Sequence, residues 1–68
     1  LLPCTAKEVI KRLLNNGFIE VGQKGSHRKL YHPDKQITTI VPVHGNKTLP
    51  IGLLKGIEQQ TGVEMPRG

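Results

Sequence analysis

Val9, Ile10, Leu13 and Leu14 recur at helical spacing and share one face, while Lys7, Lys11 and Arg12 fall on the other. Thr5-Ala6-Lys7-Glu8 opens this run as a capping box, in which the Thr5 hydroxyl accepts from the amide at Glu8 and the Glu8 carboxylate reaches back to the Thr5 amide. Asn15-Asn16-Gly17 closes it, with Gly17 suited to the left-handed conformation after a helix end. A first helix is therefore predicted between Thr5 and Asn16. The pattern then changes. Phe18-Ile19-Glu20-Val21 is short and β-prone, Gln23 to Ser26 reads as a turn, and His27 to His32 reads as a second strand. Strand side chains alternate between faces. If Leu30 points to the core, Arg28 and His32 share its side, and His27, Lys29 and Tyr31 face away. Pro33-Asp34 makes a turn, Gln36 to Val41 is a third strand, and Pro42, with no amide to donate, ends it.

After the polar loop Val43-His44-Gly45-Asn46-Lys47, Thr48 is the expected N-cap of a second helix, with Leu49-Pro50 in its first turn. Leu49, Leu53, Leu54 and Ile57 share a face, and Gly62 is the expected stop. Gly52 and Gly56 lie inside this helix, each costing roughly 1 kcal/mol relative to Ala, which suggests close approach to another element. The order helix, three strands, helix, with short turns between strands, predicts an α+β fold of type α-β-β-β-α. Its three-stranded antiparallel meander carries both helices on one face. The other face is open, and His27 stands at or near it. Over residues 1–68 a single domain is expected, with an ordered core about 5–62 and a loose tail 63–68.

Composition narrows the functional classes. With one cysteine, Cys4, no internal disulfide can form, which suits a reducing, cytoplasmic setting. Apolar runs are too short for a membrane span. Leu1-Leu2-Pro3-Cys4 does not read as a signal peptide, and a start other than Met is expected to be processed or trimmed. Ten Lys and Arg against five Asp and Glu give a formal charge of +5, a bias toward polyanions. Phe18 and Tyr31 are the only aromatics beyond histidine, too few for a platform that stacks single-stranded bases.

The candidate chemistry lies in Gln23-Lys24-Gly25-Ser26-His27-Arg28. Lys24 and Arg28 attract phosphate by charge, Gly25 and Ser26 allow close backbone approach, and His27 can exchange a proton near neutral pH. Lys47 is a further cation that can meet phosphate. The bland alternative is a hairpin turn whose charges face water. His32, ahead of Pro33, reads as structural, bonding backbone at a turn; His44 reads as a loop residue. The histidine spacings fit no zinc finger, and one thiol is too few, so no metal is expected. Cys4, near a frayed end, reads as incidental. Glu8, Glu20, Asp34, Glu58 and Glu64 read as capping or solvated charges rather than a catalytic pair.

The chain also resembles the HicA toxins, small messenger-RNA-cleaving endoribonucleases of bacterial toxin–antitoxin pairs. The resemblance rests on Asn16-Gly17-Phe18, Gln23-Lys24-Gly25-Ser26-His27, His32-Pro33 and Val41-Pro42-Val43-His44-Gly45-Asn46-Lys47, and continues through Leu49, Gly52, Leu54, Ile57, Gln60 and Gly62. It implies a fold like a double-stranded RNA-binding domain, His27 as the catalytic histidine, no cofactor, and a HicB-type antitoxin covering the active face. Many members carry Arg before the Gln-Lys-Gly-Ser-His element; here Gly22 stands there, removing one possible phosphate contact. Leu53 replaces a frequent Thr, a packing difference. On this reading His27 serves as general base on a 2′-hydroxyl or general acid on the leaving 5′-oxygen, with Lys24, Arg28 and Lys47 stabilising the phosphate. The competing readings are a non-catalytic double-stranded RNA-binding module and a purely protein-binding domain. Lys47 and Lys55 make a thin basic patch for the first of these.

Overall fold

The computed structural model describes residues 4–65. The order is α1 (Ala6–Asn15), β1 (Ile19–Lys24), β2 (His27–His32), β3 (Ile37–Pro42) and α2 (Ile51–Thr61). The sheet is an antiparallel meander with β2 in the centre. Both helices lie on one face, as the hydrophobic pattern requires. Ala6, Val9, Ile10 and Leu13 of α1 and Leu54 and Ile57 of α2 are buried together with Phe18, Leu30 and Val41. Fully burying a Leu or Phe stabilises by roughly 1.5–3 kcal/mol, so Leu13, Leu30, Leu54 and Phe18 dominate so small a core.

α1 begins and ends as its sequence dictates, with one change. The Thr5 side chain accepts from the Glu8 amide at 3.3 Å. Its hydroxyl in turn donates to Glu8 Oε1 at 3.3 Å, rather than the carboxylate reaching back to the Thr5 amide. At the other end the Phe18 amide donates to Leu13 O and the Gly17 amide to Leu14 O, the paired bonds of a Schellman motif. Gly17 has φ +92°, and a Cβ there would lie 2.7 Å from His32 Nε2. His32 is buried, packs edge-on against Phe18 with ring centroids 5.0 Å apart, and accepts at Nδ1 from the Lys35 amide at 3.1 Å. It is the structural histidine that the sequence suggests, bolting the β2–β3 loop to the end of α1.

The second helix starts later than expected. Thr48 is not its N-cap: Thr48 forms an isolated antiparallel bridge with Thr5, and the Leu49 amide donates to Cys4 O at 2.8 Å. Extended residues in a bridge cannot begin a helix, so Pro50 becomes the cap, without a side-chain bond. The same bridge buries Cys4, which is a core residue rather than an incidental one at a frayed end. Gly62, at φ +74°, ends α2, its amide donating to Glu58 O at 2.8 Å. The tail is expected to be loose from Val63, but Val63 and Met65 are buried, and the Met65 amide donates to Glu58 Oε2 at 2.9 Å. The rest of that expectation, 66–68, lies outside the described residues. Gly52 and Gly56 serve no close contact, since a Cβ at either meets nothing within 4 Å.

These facts predict opposite outcomes for two Gly→Ala changes in urea unfolding. Gly17→Ala combines a positive φ with a clash on His32 and should lose about 2–4 kcal/mol. Gly56→Ala should gain about 0.5–1 kcal/mol by helix propensity alone.

Candidate functional site

The alternation anticipated for β2 is the one observed. Leu30 and His32 are buried, Arg28 is half-buried on their side, and His27 and Lys29 are exposed on the other. The ladders extend this assignment across the sheet. Lys24 and Pro42 flank His27, Gly22 and Ile40 flank Lys29, and Ile19 and Thr38 flank Tyr31. The open face therefore carries Lys24, His27 and Lys29 beside exposed Ile19 and Ile40. Val21, also exposed, is the residue skipped where the register shifts between Glu20 and Gly22, a bulge in the edge strand.

Lys24 and His27 are brought together by the shortest kind of hairpin. The connection is Gly25-Ser26 alone, with Gly25 at φ +60° in the first central position. That is the glycine requirement of a type II′ turn, whose twist matches the flanking strands. β1 consequently runs on to Lys24 rather than stopping near Val21. Gln23 Nε2 donates to Gly25 O at 3.4 Å, and the Val43 amide donates to Ser26 O at 2.6 Å, pinning the turn to the chain after β3.

A groove of about 410 Å³ opens on this face, lined by Val21, Gly22, Gln23, Lys24, His27, Lys29 and Ile40. No carboxylate among the described residues lines it, so its charge is uniformly positive. The sequence alone points to Lys24, Gly25, Ser26 and His27; Lys29, Val21 and Ile40 join them only in the fold. Lys29 was legible as sharing His27's face two residues on. Val21 and Ile40 were not, because they join the groove through a cross-strand register and a bulge.

Two candidate residues lie elsewhere. Arg28 is on the helix side of the sheet, where Nη1 contacts Glu20 Oε1 at 3.4 Å, so Glu20 is not simply a solvated charge. Lys47 lines a separate groove of about 400 Å³ with His44, Thr48, Leu49, Pro50 and Leu53. That groove also includes Pro42, the ladder partner of His27, so the two grooves are neighbours.

Residues 6–63 of the 68 match the family described as HicA toxin of bacterial toxin-antitoxin. The chain belongs to the HicA toxin family. Among curated proteins no sequence matches it. The residues by which the chain resembles HicA toxins are thus spread over the His27 turn, the Gly17–His32 junction and the loop from Pro42 to Lys47. No described group of three or more His, Cys, Asp or Glu side chains is gathered as a metal would require, and no described helix is long and apolar enough to cross a membrane.

Other reactive groups of this HicA toxin are committed to structure or to solvent. A groove of about 420 Å³ along α1, lined by Glu8, Lys11, Arg12, Asn15 and Asn16, mixes both charge signs and lies away from His27. Burial, aided by the Glu8 charge and opposed by Arg12, raises the Cys4 pKa and keeps it a thiol at neutral pH. Iodoacetamide should therefore label Cys4 in the native protein only at the rate at which the protein opens, and rapidly in urea; fast native labelling measured by mass spectrometry would contradict its burial.

Proposed function

We propose that this chain is the toxin of a bacterial type II toxin–antitoxin pair and that it is an endoribonuclease that cuts messenger RNA without a metal. The observation that carries this reading is an exposed imidazole, His27, cross-strand from Lys24 in a positive groove on the open sheet face. RNA supplies its own nucleophile. His27 removes the 2′-hydroxyl proton as the 2′-oxygen attacks the adjacent phosphorus, or protonates the 5′-oxygen as the P–O5′ bond breaks. The products are a 2′,3′-cyclic phosphate and a 5′-hydroxyl. One acid or base so placed contributes typically 10²- to 10⁴-fold. Lys24, with the Gly25 and Ser26 backbone, meets the charge that develops on the phosphate, and Lys47 acts from the neighbouring groove. Lys29 adds to the same potential.

The partner is a HicB-type antitoxin that covers the His27 face and acts in the cytoplasm. Exposed Ile19, Val21 and Ile40 on that face offer it apolar contact, and Lys24 and Lys29 favour acidic side chains. Such a complex weakens with salt as far as charge holds it, by screening over roughly 8–10 Å.

The test is His27→Ala assayed on single-stranded and duplex RNA with chelator present. Cleavage of the single strand by the parent protein should fall by at least about 10²-fold in the variant, with the melting temperature unchanged because His27 is exposed. Unaltered cleavage disposes of the assignment. Tight duplex binding with no cutting by the parent protein points instead to a non-catalytic RNA-binding module.

A further inference from the structure

We propose that Arg28, Lys7 and Asn46 form a second anion subsite, on the helix side of the sheet, that takes a further backbone phosphate of the same RNA strand that is held at His27. This deepens, and rests on, the reading of the chain as an RNA-cutting toxin. The subsite is a groove of about 330 Å³ lined by Lys7 of α1, Ile10, Arg28, Val43, Gly45 and Asn46. Its floor is apolar, from Ile10 and Val43, and its polar rim is two cations and a carboxamide. No carboxylate among the described residues lines it.

Three observations converge on an oxyanion. Arg28 Nε is shielded from solvent and has no hydrogen-bond partner among the described residues. A shielded donor without an acceptor is rare in folded proteins, and a missing ion is one of its ordinary explanations. The ion pair Arg28 makes among the described residues, Nη1 to Glu20 Oε1, is 3.4 Å long, against roughly 2.7–2.9 Å for a well-formed charge-assisted bond. Glu20 thus holds one edge of the guanidinium loosely and leaves the fork free to swing toward an anion with two oxygens. Finally, the 43–46 loop that forms the opposite wall is held in place: the Val43 amide bonds Ser26 O at 2.6 Å, the Lys47 amide bonds His44 O at 3.2 Å, and Gly45 sits at φ +62° with open space where a side chain would be.

Position selects the phosphodiester. His27 and Arg28 are consecutive on β2 and point to opposite faces at the turn end of the sheet. The Ser26–Val43 bond brings the loop wall to that same end. A single strand wrapping the end of the sheet meets His27 on one side and the Arg28 groove on the other, so two phosphates of one strand, separated by the thickness of the sheet, can occupy both. Arg28 is then a binding residue for a phosphate that does not react.

The test uses His27→Ala protein and a 2′-O-methyl RNA that cannot be cut, so that binding is read without cleavage whether or not His27 is catalytic. Affinity for a labelled single-stranded RNA is measured over a range of salt for Lys7→Gln, Arg28→Gln and Arg28→Lys in that background. Each neutral variant should bind several-fold more weakly, equally for RNAs of different sequence, and flatten the log K against log salt slope by about 0.7. Arg28→Lys should keep the slope and lose affinity, having charge without the fork. Lys7 is exposed, so its variant tests the groove even where an Arg28 change disturbs the fold. Unchanged slope and affinity in Lys7→Gln and Arg28→Gln would overturn the subsite. So would a loss of polyglutamate binding with RNA binding intact, which would assign the groove to a protein carboxylate.

Discussion

The burial of Leu30 under the two helices decides where every chemical group of the sheet points. β2 is paired on both sides, so its register is fixed by two ladders as well as by that side chain. A slip of one residue would exchange the faces. It would push Lys29 beneath the helices and lift Leu30 into solvent, costing roughly 1.5–3 kcal/mol for the leucine alone and more for the stranded ammonium. The exposure of His27 and the burial of His32 are therefore one fact with two consequences. One imidazole faces solvent in a positive groove; the other sits against Phe18, occupies the space over Gly17 and caps the Pro33–Gln36 loop.

The framework around that strand is tied by polar contacts at its margins. Thr39 Oγ1 donates to Gln60 Oε1 and Gln60 Nε2 donates to Thr38 O, joining β3 to α2 through one side chain. The Thr5–Thr48 bridge ties the starts of the helices, and Glu58 and Arg12 hold the segment through Met65. These links leave the open face of the sheet uncommitted. Its side chains are consequently free to serve a ligand or a partner protein.

Much of this was legible in the sequence, for local reasons. α1 is announced by its apolar spacing and by Thr5 and Gly17; β2 is announced by alternation about a single leucine; Gly62 marks the end of α2. The Lys-Gly-Ser-His element is contiguous, so its residues could be found without a fold. What was not legible depends on partners distant in the chain. Thr48 has the chemistry of an N-cap, and only its pairing with Thr5 shows why it is not one. Cys4, Val63 and Met65 look terminal until the helices close over them. Val21 and Ile40 join the groove through a bulge and a ladder, and Arg28, though next to His27, is separated from it by the thickness of the sheet.

In the proposed function, the face β2 presents to solvent is the face that meets RNA. Diethyl pyrocarbonate footprinting read by mass spectrometry, with and without a 2′-O-methyl RNA that cannot be cut, tests it most directly. His27 should be modified rapidly in the free protein and protected when the RNA is bound, and His32 should be modified slowly until the protein unfolds. Modification of His32 as fast as His27, or a His27 as reactive with saturating RNA as without it, would rule out this face as the RNA-binding one.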